Sequence, residues 1–134
     1  MKAKSDATGV IVGVDHVNLT IEEGPDALER AKAFYGGILG LQVRPRAEHA
    51  ESPSGAWYLC GAQQVHLSAE SGASASNRAS RRHAAFRVAN LGALASRLEA
   101  AGIETRAGNL IPGQKRFFVR DPFGNRLEFV EVAD

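Results

Sequence analysis

The strongest constraint on how this chain of 134 residues can fold is that it reads as one unit written twice. The first copy opens on the alternating run Val14-Asp15-His16-Val17-Asn18-Leu19-Thr20-Ile21, the second on Arg82-His83-Ala84-Ala85-Phe86-Arg87-Val88. Each run leads into an amphipathic helix that stops at a glycine, Gly40 or Gly102. Each copy then closes on an alternating strand, Gln64 to Ser68 around His66 or Arg126 to Val130 around Glu128. Gly40 and Gly102 lie 62 residues apart, and so do His66 and Glu128. The opening histidines, His16 and His83, lie 67 apart. The first copy therefore holds about five extra residues, which fit the loop Glu22-Glu23-Gly24-Pro25-Asp26. A duplication that returns His16, His66, His83 and Glu128 to equivalent positions points to a site as well as to a fold.

Local signals fill in each copy. Gly24-Pro25 ends the first strand and Asp26 is placed to cap a helix, whose stripe is Leu28, Ala31, Tyr35, Ile38 and Leu39. Gly40 stands where a left-handed helix end is expected. Leu41 to Arg44, Ala56 to Cys60 and Gln64 to Ser68 read as three strands, with a loop at Pro53 and a tight connection at Gly61-Ala62. The small, polar run Ser71-Gly72-Ala73-Ser74-Ala75-Ser76-Asn77 has the composition of a flexible linker. In the second copy Asn90 caps a helix carrying Leu91, Leu94, Leu98 and Ala101. Ile103 to Arg106 reads as a short strand. Phe117 to Arg120 and Arg126 to Glu131 flank the turn Asp121-Pro122-Phe123-Gly124-Asn125, and Lys115 and Arg116 follow Pro112-Gly113 in a loop that either covers the cavity or is simply solvated. The sum is an α+β fold of two βαβββ modules forming a curled mixed sheet around a cavity, with the helices on the outer face. One domain spans 1–134, with module one at about 14–70, the linker at about 71–80 and module two at about 81–131. The first residues, Met1 to Asp6, read as a frayed tail without the apolar core of a signal peptide.

Strand parity sorts side chains onto two faces. Val17, Leu19, Val65, Leu67, Ala84, Phe86, Val88, Leu127 and Phe129 share the face that packs on the helices. His16, Asn18, Gln64, His66, Ser68, His83, Arg87, Arg126 and Glu128 share the other. A solvated sheet face explains polarity. It does not explain why three of the chain's four histidines sit there. Arg87 and Arg126 share that face and suit either of two uses, binding a substrate carboxylate or phosphate or forming salt bridges at the rim of the cup. Trp57 and Tyr58 are adjacent on one strand, so one faces the helices and the other the cavity, and both are candidate lining. His49, before the Pro53 loop, has no counterpart in the second copy and reads as a surface residue.

A formal net charge of +1 gives no reason to expect a nucleic acid or an anionic membrane as partner. No apolar run approaches the roughly 20 residues of a membrane helix. The single cysteine, Cys60, cannot form an intrachain disulfide, which suits a reducing cytoplasmic setting, and it reads as a small apolar strand residue.

The paired modules, Asp15-His16-Val17, Phe34-Tyr35-Gly36-Gly37-Ile38-Leu39-Gly40-Leu41, and Asp121-Pro122-Phe123-Gly124-Asn125-Arg126-Leu127-Glu128-Phe129 resemble the vicinal oxygen chelate superfamily. Its members include glyoxalase I, methylmalonyl-CoA epimerase, fosfomycin-resistance enzymes, extradiol dioxygenases and bleomycin-binding proteins. The resemblance runs from Val14 to Glu131. It implies a divalent metal held at His16, His66, His83 and Glu128, with zinc, nickel, iron and manganese all compatible with that donor set. Three imidazoles and one carboxylate would leave a net charge of about +1, which favours an anionic oxygen chelate.

His66 departs from the carboxylate that glyoxalase I carries at that position and from the glutamine of the epimerase. His16, His83 and Glu128 resemble the triad of non-haem iron enzymes. The catalytic residues expected on this pattern are His66, as ligand or as general base, and Glu128. Two functions follow. One is a metal-dependent lyase, isomerase or ring-cleaving dioxygenase; the other is a metal-free protein that sequesters a small molecule, as bleomycin-resistance proteins do. The resemblance also implies a homodimer, with the site inside one chain or shared between two.

Overall fold

The computed structural model describes residues 9–46 and 54–132; His49 and the Pro53 loop lie outside the described residues. Two mixed four-stranded sheets carry the chain, one per module. β1 (His16–Ile21), β2 (Gln42–Arg44), β3 (Gly55–Cys60) and β4 (Gln63–Ala69) run in the order β1-β4-β3-β2. β5 (His83–Arg87), β6 (Arg106–Ala107), β7 (Gln114–Arg120) and β8 (Arg126–Val132) repeat that order as β5-β8-β7-β6. Within each sheet the outer pair, β1 with β4 or β5 with β8, is parallel, and the other pairs are antiparallel. This is the α+β architecture of paired βαβββ modules that the duplication implies. β1 and β5 are edge strands, each with a histidine as its first residue.

The alternation of the strands is realised. Val65, Leu67, Leu127 and Phe129 are buried on the helix side, with Val17, Leu19 and Phe86 packed against them. Helix α1 (Pro25–Lys32) buries Ala27 and Ala31 and continues through wider, π-helical turns over Ala33–Ile38, which bury Phe34 and Tyr35. Gly36 and Gly37 fall in those turns, where helix propensity is lowest. A side chain at Gly36 would meet the Tyr58 ring at 3.5 Å. Gly40 ends the segment with a φ of 74°, a backbone that glycine adopts without strain. Helix α3 (Leu91–Ala100) buries Leu91, Leu94 and Leu98, and Asn90 caps it by accepting from the Ala93 N–H at 3.0 Å.

Three expectations need correction. Asp26 does not cap α1: Pro25 takes the first helical position, Gly24 precedes it, and Asp26 lies in the first turn. A carboxylate there favours the positive end of the helix without a cap bond. The small, polar run expected to be a flexible linker forms helix α2 (Ala73–Arg78), docked on β1. Its Ala73 is fully buried, and its buried Asn77 donates to the carbonyls of Thr20 and Phe123 at 3.1 and 3.0 Å. Small residues here permit close packing rather than freedom. Lys115 and Arg116 are not in a loop, because β7 begins at Gln114 and pairs with β8 as far as Val132. The short strand β6 falls at Arg106–Ala107, at the end of the expected Ile103–Arg106 run.

A buried polar latch joins the modules. The Asp121 carboxylate, 5 % exposed, accepts from the Phe123 and Asn125 N–H groups and from Asn125 Nδ2, each at 2.8 Å. It also accepts from the hydroxyl of Tyr35 in module one, at 2.5 Å. Asn125 Nδ2 reaches the Thr20 carbonyl of β1 at 2.8 Å as well. Burial raises the Asp121 carboxyl above its ordinary range, against the pull of these four donors.

Candidate functional site

The non-helical face presents the expected residues as two pairs. In module one β4 lies between β1 and β3, so His66 is flanked by a strand on each side. Its ring stacks on Trp57 of β3 at 4.0 Å and on His16 of β1 at 3.9 Å, an imidazole held between two flat partners. His66 is buried and its Nε2 meets Gln64 Oε1 at 2.9 Å, while the more exposed His16 meets Asp15 Oδ2 through Nδ1 at 2.9 Å. Burial first, and the neighbouring His16 second, lower the pKa of His66 below the ordinary histidine value. Its ring therefore stays neutral at pH 7, with a nitrogen lone pair for a proton or a cation.

The second pair is tighter. His83 opens β5 and Glu128 lies on β8, with His83 Nε2 at 3.0 Å from Glu128 Oε1. His83 Nδ1 is 3.0 Å from the Arg81 carbonyl. A carbonyl only accepts, so Nδ1 carries the hydrogen and a neutral ring turns the Nε2 lone pair toward the carboxylate. Two acceptors facing each other at that distance require a proton or a cation between them. The other carboxylate oxygen accepts from Arg116 NH1 at 3.2 Å, and Arg116 also donates through Nε to the Asn109 carbonyl at 3.2 Å. Phe118, opposite Glu128 across β7 and β8, turns its edge to His83 at 5.6 Å and carries the Arg126 guanidinium over its face at 4.1 Å. A cleft of about 790 Å³ opens beside this group.

Each of the remaining expected residues has a definite place. Trp57 lies on the face that carries His66. Tyr58 is 1 % exposed on the opposite face, toward the helices, so it does not line the site; burial raises its phenol. Arg126 sits beside His83. Arg87 is exposed at the far end of β5 and borders a separate, mostly apolar cleft with Leu39, Cys60 and Phe86. Cys60 is half-buried there, its thiol pushed up by burial, as expected of a small apolar residue. Sequence reasoning placed Arg116 in a loop, whereas β7 carries it to the Glu128 carboxylate. Counting back from the Asp121–Asn125 hairpin, with Phe118 opposite Glu128, puts Arg116 on the ligand face by parity.

Among the described residues no three His, Cys, Asp or Glu side chains gather around one point. The chain brings together His16 with His66, and His83 with Glu128. The donor chemistry of the second pair fits a divalent ion: an acceptor nitrogen with its tautomer set by Arg81, and a carboxylate whose outer oxygen is held by Arg116.

The chain belongs to the glyoxalase/bleomycin resistance protein/dioxygenase superfamily, whose model matches residues 13–129. No protein of curated function matches it. Among solved structures, a protein from Bacillus anthracis assigned to the glyoxalase family is 36% identical, with a TM-score of 0.83 over 94% of this chain and 99% of that one. The fosfomycin resistance protein FosX from Listeria monocytogenes, in complex with Mn(II) and sulfate, is 18% identical with a TM-score of 0.70, covering 92% and 91% of the two chains. TnmS3, an antibiotic binding protein from Streptomyces sp. CB03234, is 15% identical with a TM-score of 0.69, covering 93% and 99%. The last two likenesses are of fold.

Proposed function

Taking membership of this superfamily as the premise, we propose that the protein is a divalent-metal-dependent enzyme acting on a small, oxygen-chelating substrate by lyase, isomerase or ring-cleaving dioxygenase chemistry. The observation that carries this reading is the His83–Glu128 pair, an imidazole nitrogen and a carboxylate oxygen 3.0 Å apart on the same sheet face. His83 and Glu128 would hold one side of the ion, and His16, with His66 as a further ligand or as the base, the other. When bound, zinc, nickel, iron or manganese would supply Lewis acidity and a template for two neighbouring oxygens. Arg81 and Arg116 keep the second pair oriented, and the Trp57 and His16 rings keep His66 in place and dry. A neutral His66 is the group able to take a proton from a bound substrate.

The two pairs stand on separate sheets, and a homodimer would unite them. β1 and β5 each leave an unpaired edge, the side on which sheets join. Beside β1, Val10, Ile11, Val12 and Val14 are 62–98 % exposed, an apolar run that a second copy would cover. Among the described residues no helix is long and apolar enough to cross a membrane. A cytoplasmic setting, with small molecules as partners, accords with the unpaired Cys60.

The alternative is a metal-free binder of the bleomycin-resistance type. The flat Trp57–His66–His16 stack favours it, because a planar ligand could extend that stack from the exposed side of His16. Thermal melting of metal-stripped protein with manganese, nickel, zinc or iron separates the two. A ligand present at 100 times its Kd stabilises the folded chain by about 2.7 kcal/mol. The enzyme reading expects one of these ions to raise the Tm of the wild type and not of His83→Ala. A Tm unmoved by every ion assigns the protein to the binders.

A further inference from the structure

The cleft beside His83 and Glu128 is lined by five arginines, Arg81, Arg106, Arg116, Arg120 and Arg126, and only two acids, Glu104 and Glu128. Three of these arginines already have work. Arg116 bonds Glu128, Arg106 lies 3.9 Å from Glu104, and Arg120 NH1 donates to the carbonyls of Asn77, Ser80 and Gly124. Arg126 and Arg81 pair with no acid among the described residues.

The geometry points to an oxyanion-binding subsite: the substrate carries an acid group, carboxylate, phosphonate or phosphate, that docks on Arg126 with Arg81 beside it. This rests on the reading of the face as the ligand face, and it names the substrate class. Arg126 is half-buried, with its guanidinium carbon over the Phe118 ring at 4.1 Å from the centroid. A guanidinium held against a ring has less rotational freedom to lose, and its fork of donors suits the two oxygens of an oxyanion. Its one bond within the chain is a long one, NH1 to the Arg81 carbonyl at 3.4 Å. That same carbonyl holds His83 Nδ1, so anion, Arg126 and His83 share one support.

Gly108 packs against the edge of the Phe118 ring. A Cβ at Gly108 would come within 2.9 Å of Phe118 Cε2 and 2.8 Å of Arg116 Nε, so only glycine lets that wall close on the ring. The excess of guanidinium groups raises the local concentration of anions in a cleft with low-dielectric walls.

The test uses the full-length, metal-stripped protein, calorimetry at constant chloride-set ionic strength, and three probes: inorganic phosphate, malonate and neutral malonamide. Phosphate, malonate or both should bind, and whichever is tighter identifies the acid as phosphoryl-type or carboxylate. Malonamide should not bind. Arg126→Gln should weaken the bound anion about tenfold or more, Arg126→Lys should weaken it less, and Arg97→Gln on α3 should leave it unchanged. In the wild type the side-chain N–H resonances of Arg126 and Arg81 should shift on titration, a readout that survives if Arg126→Gln does not fold. Equal binding by folded Arg126→Gln, equal binding of malonamide, or no response of the Arg126 resonance to either anion overturns the proposal. Because no metal is present, failure here leaves the metal reading intact, and failure of metal binding leaves this result intact.

Discussion

Replacing Tyr35 by phenylalanine deletes one buried oxygen and tests whether the inter-module latch holds the two halves in register. Tyr35 is fully buried, Asp121 is 5 % exposed, and the hydroxyl donates to Asp121 Oδ2. Phenylalanine fills nearly the same volume, so the cavity term is small. What is lost is a hydrogen bond to a charged acceptor, worth about 1.5–3 kcal/mol. The carboxylate keeps its two backbone N–H donors and Asn125 Nδ2, so a cost of about 2 kcal/mol is expected rather than the upper end. For a chain of this size that is a fall in Tm of about 6–8 °C.

The sign with pH follows from Asp121. Burial holds its folded pKa above the unfolded value, so protonation favours the folded chain, and that contribution is lost as pH rises through the folded value. The Tyr35 hydroxyl opposes this rise. Its removal therefore lifts the Asp121 pKa further, and the variant binds more protons than the wild type over the window above the ordinary carboxyl range. The stability gap must then be full at pH 7 and shrink toward about pH 4. Urea unfolding of both proteins at the two pH values measures it. A gap under about 0.5 kcal/mol at pH 7, or one that widens on acidification, would refute the latch.

Trp57 is the chain's single tryptophan and lies against His66, so its emission should report the protonation of that ring. Quenching should set in only at a pH below the ordinary histidine range, and His66→Asn should abolish the transition. Gly108→Ala should destabilise by about 1–3 kcal/mol through the clash with Phe118 and Arg116, measured by denaturant unfolding, with Gly102→Ala, which meets no atom within 4 Å, reporting backbone strain alone. Arg116→Gln leaves the buried Glu128 with His83 as its remaining partner, and a loss of about 1–3 kcal/mol is expected at pH 7 in the same assay.

Much of this was legible because strands alternate and the duplication doubles every signal. The parity that puts His16, His66, His83 and Glu128 on one face follows from period two alone, and the register between the copies from Gly40 and Gly102. Trp57 illustrates a limit that was not physical. A two-residue turn at Gly61-Ala62 pairs Cys60 with Gln63 and so brings Trp57 opposite His66, but nothing local distinguishes that turn from a longer one. The helix at Ala73–Arg78 was hidden because small residues serve both free linkers and tight packing, and tertiary contacts through Ala73 and Asn77 decide between them. Duplication also says which positions are equivalent within a module and nothing about how the modules sit. That is why the shared face of His16, His66, His83 and Glu128 was readable and its division into two pairs was not.

The most direct measurement is the metal content, by mass spectrometry, of protein purified without an affinity tag, for the wild type beside His16→Ala and His83→Ala. If one ion is held jointly by both pairs, the wild type carries about one equivalent per chain and each variant loses most of it, His16→Ala included. A His16→Ala protein that keeps its full metal would confine the site to His83 and Glu128, and a wild type that takes up none of the four ions would contradict the metal centre itself.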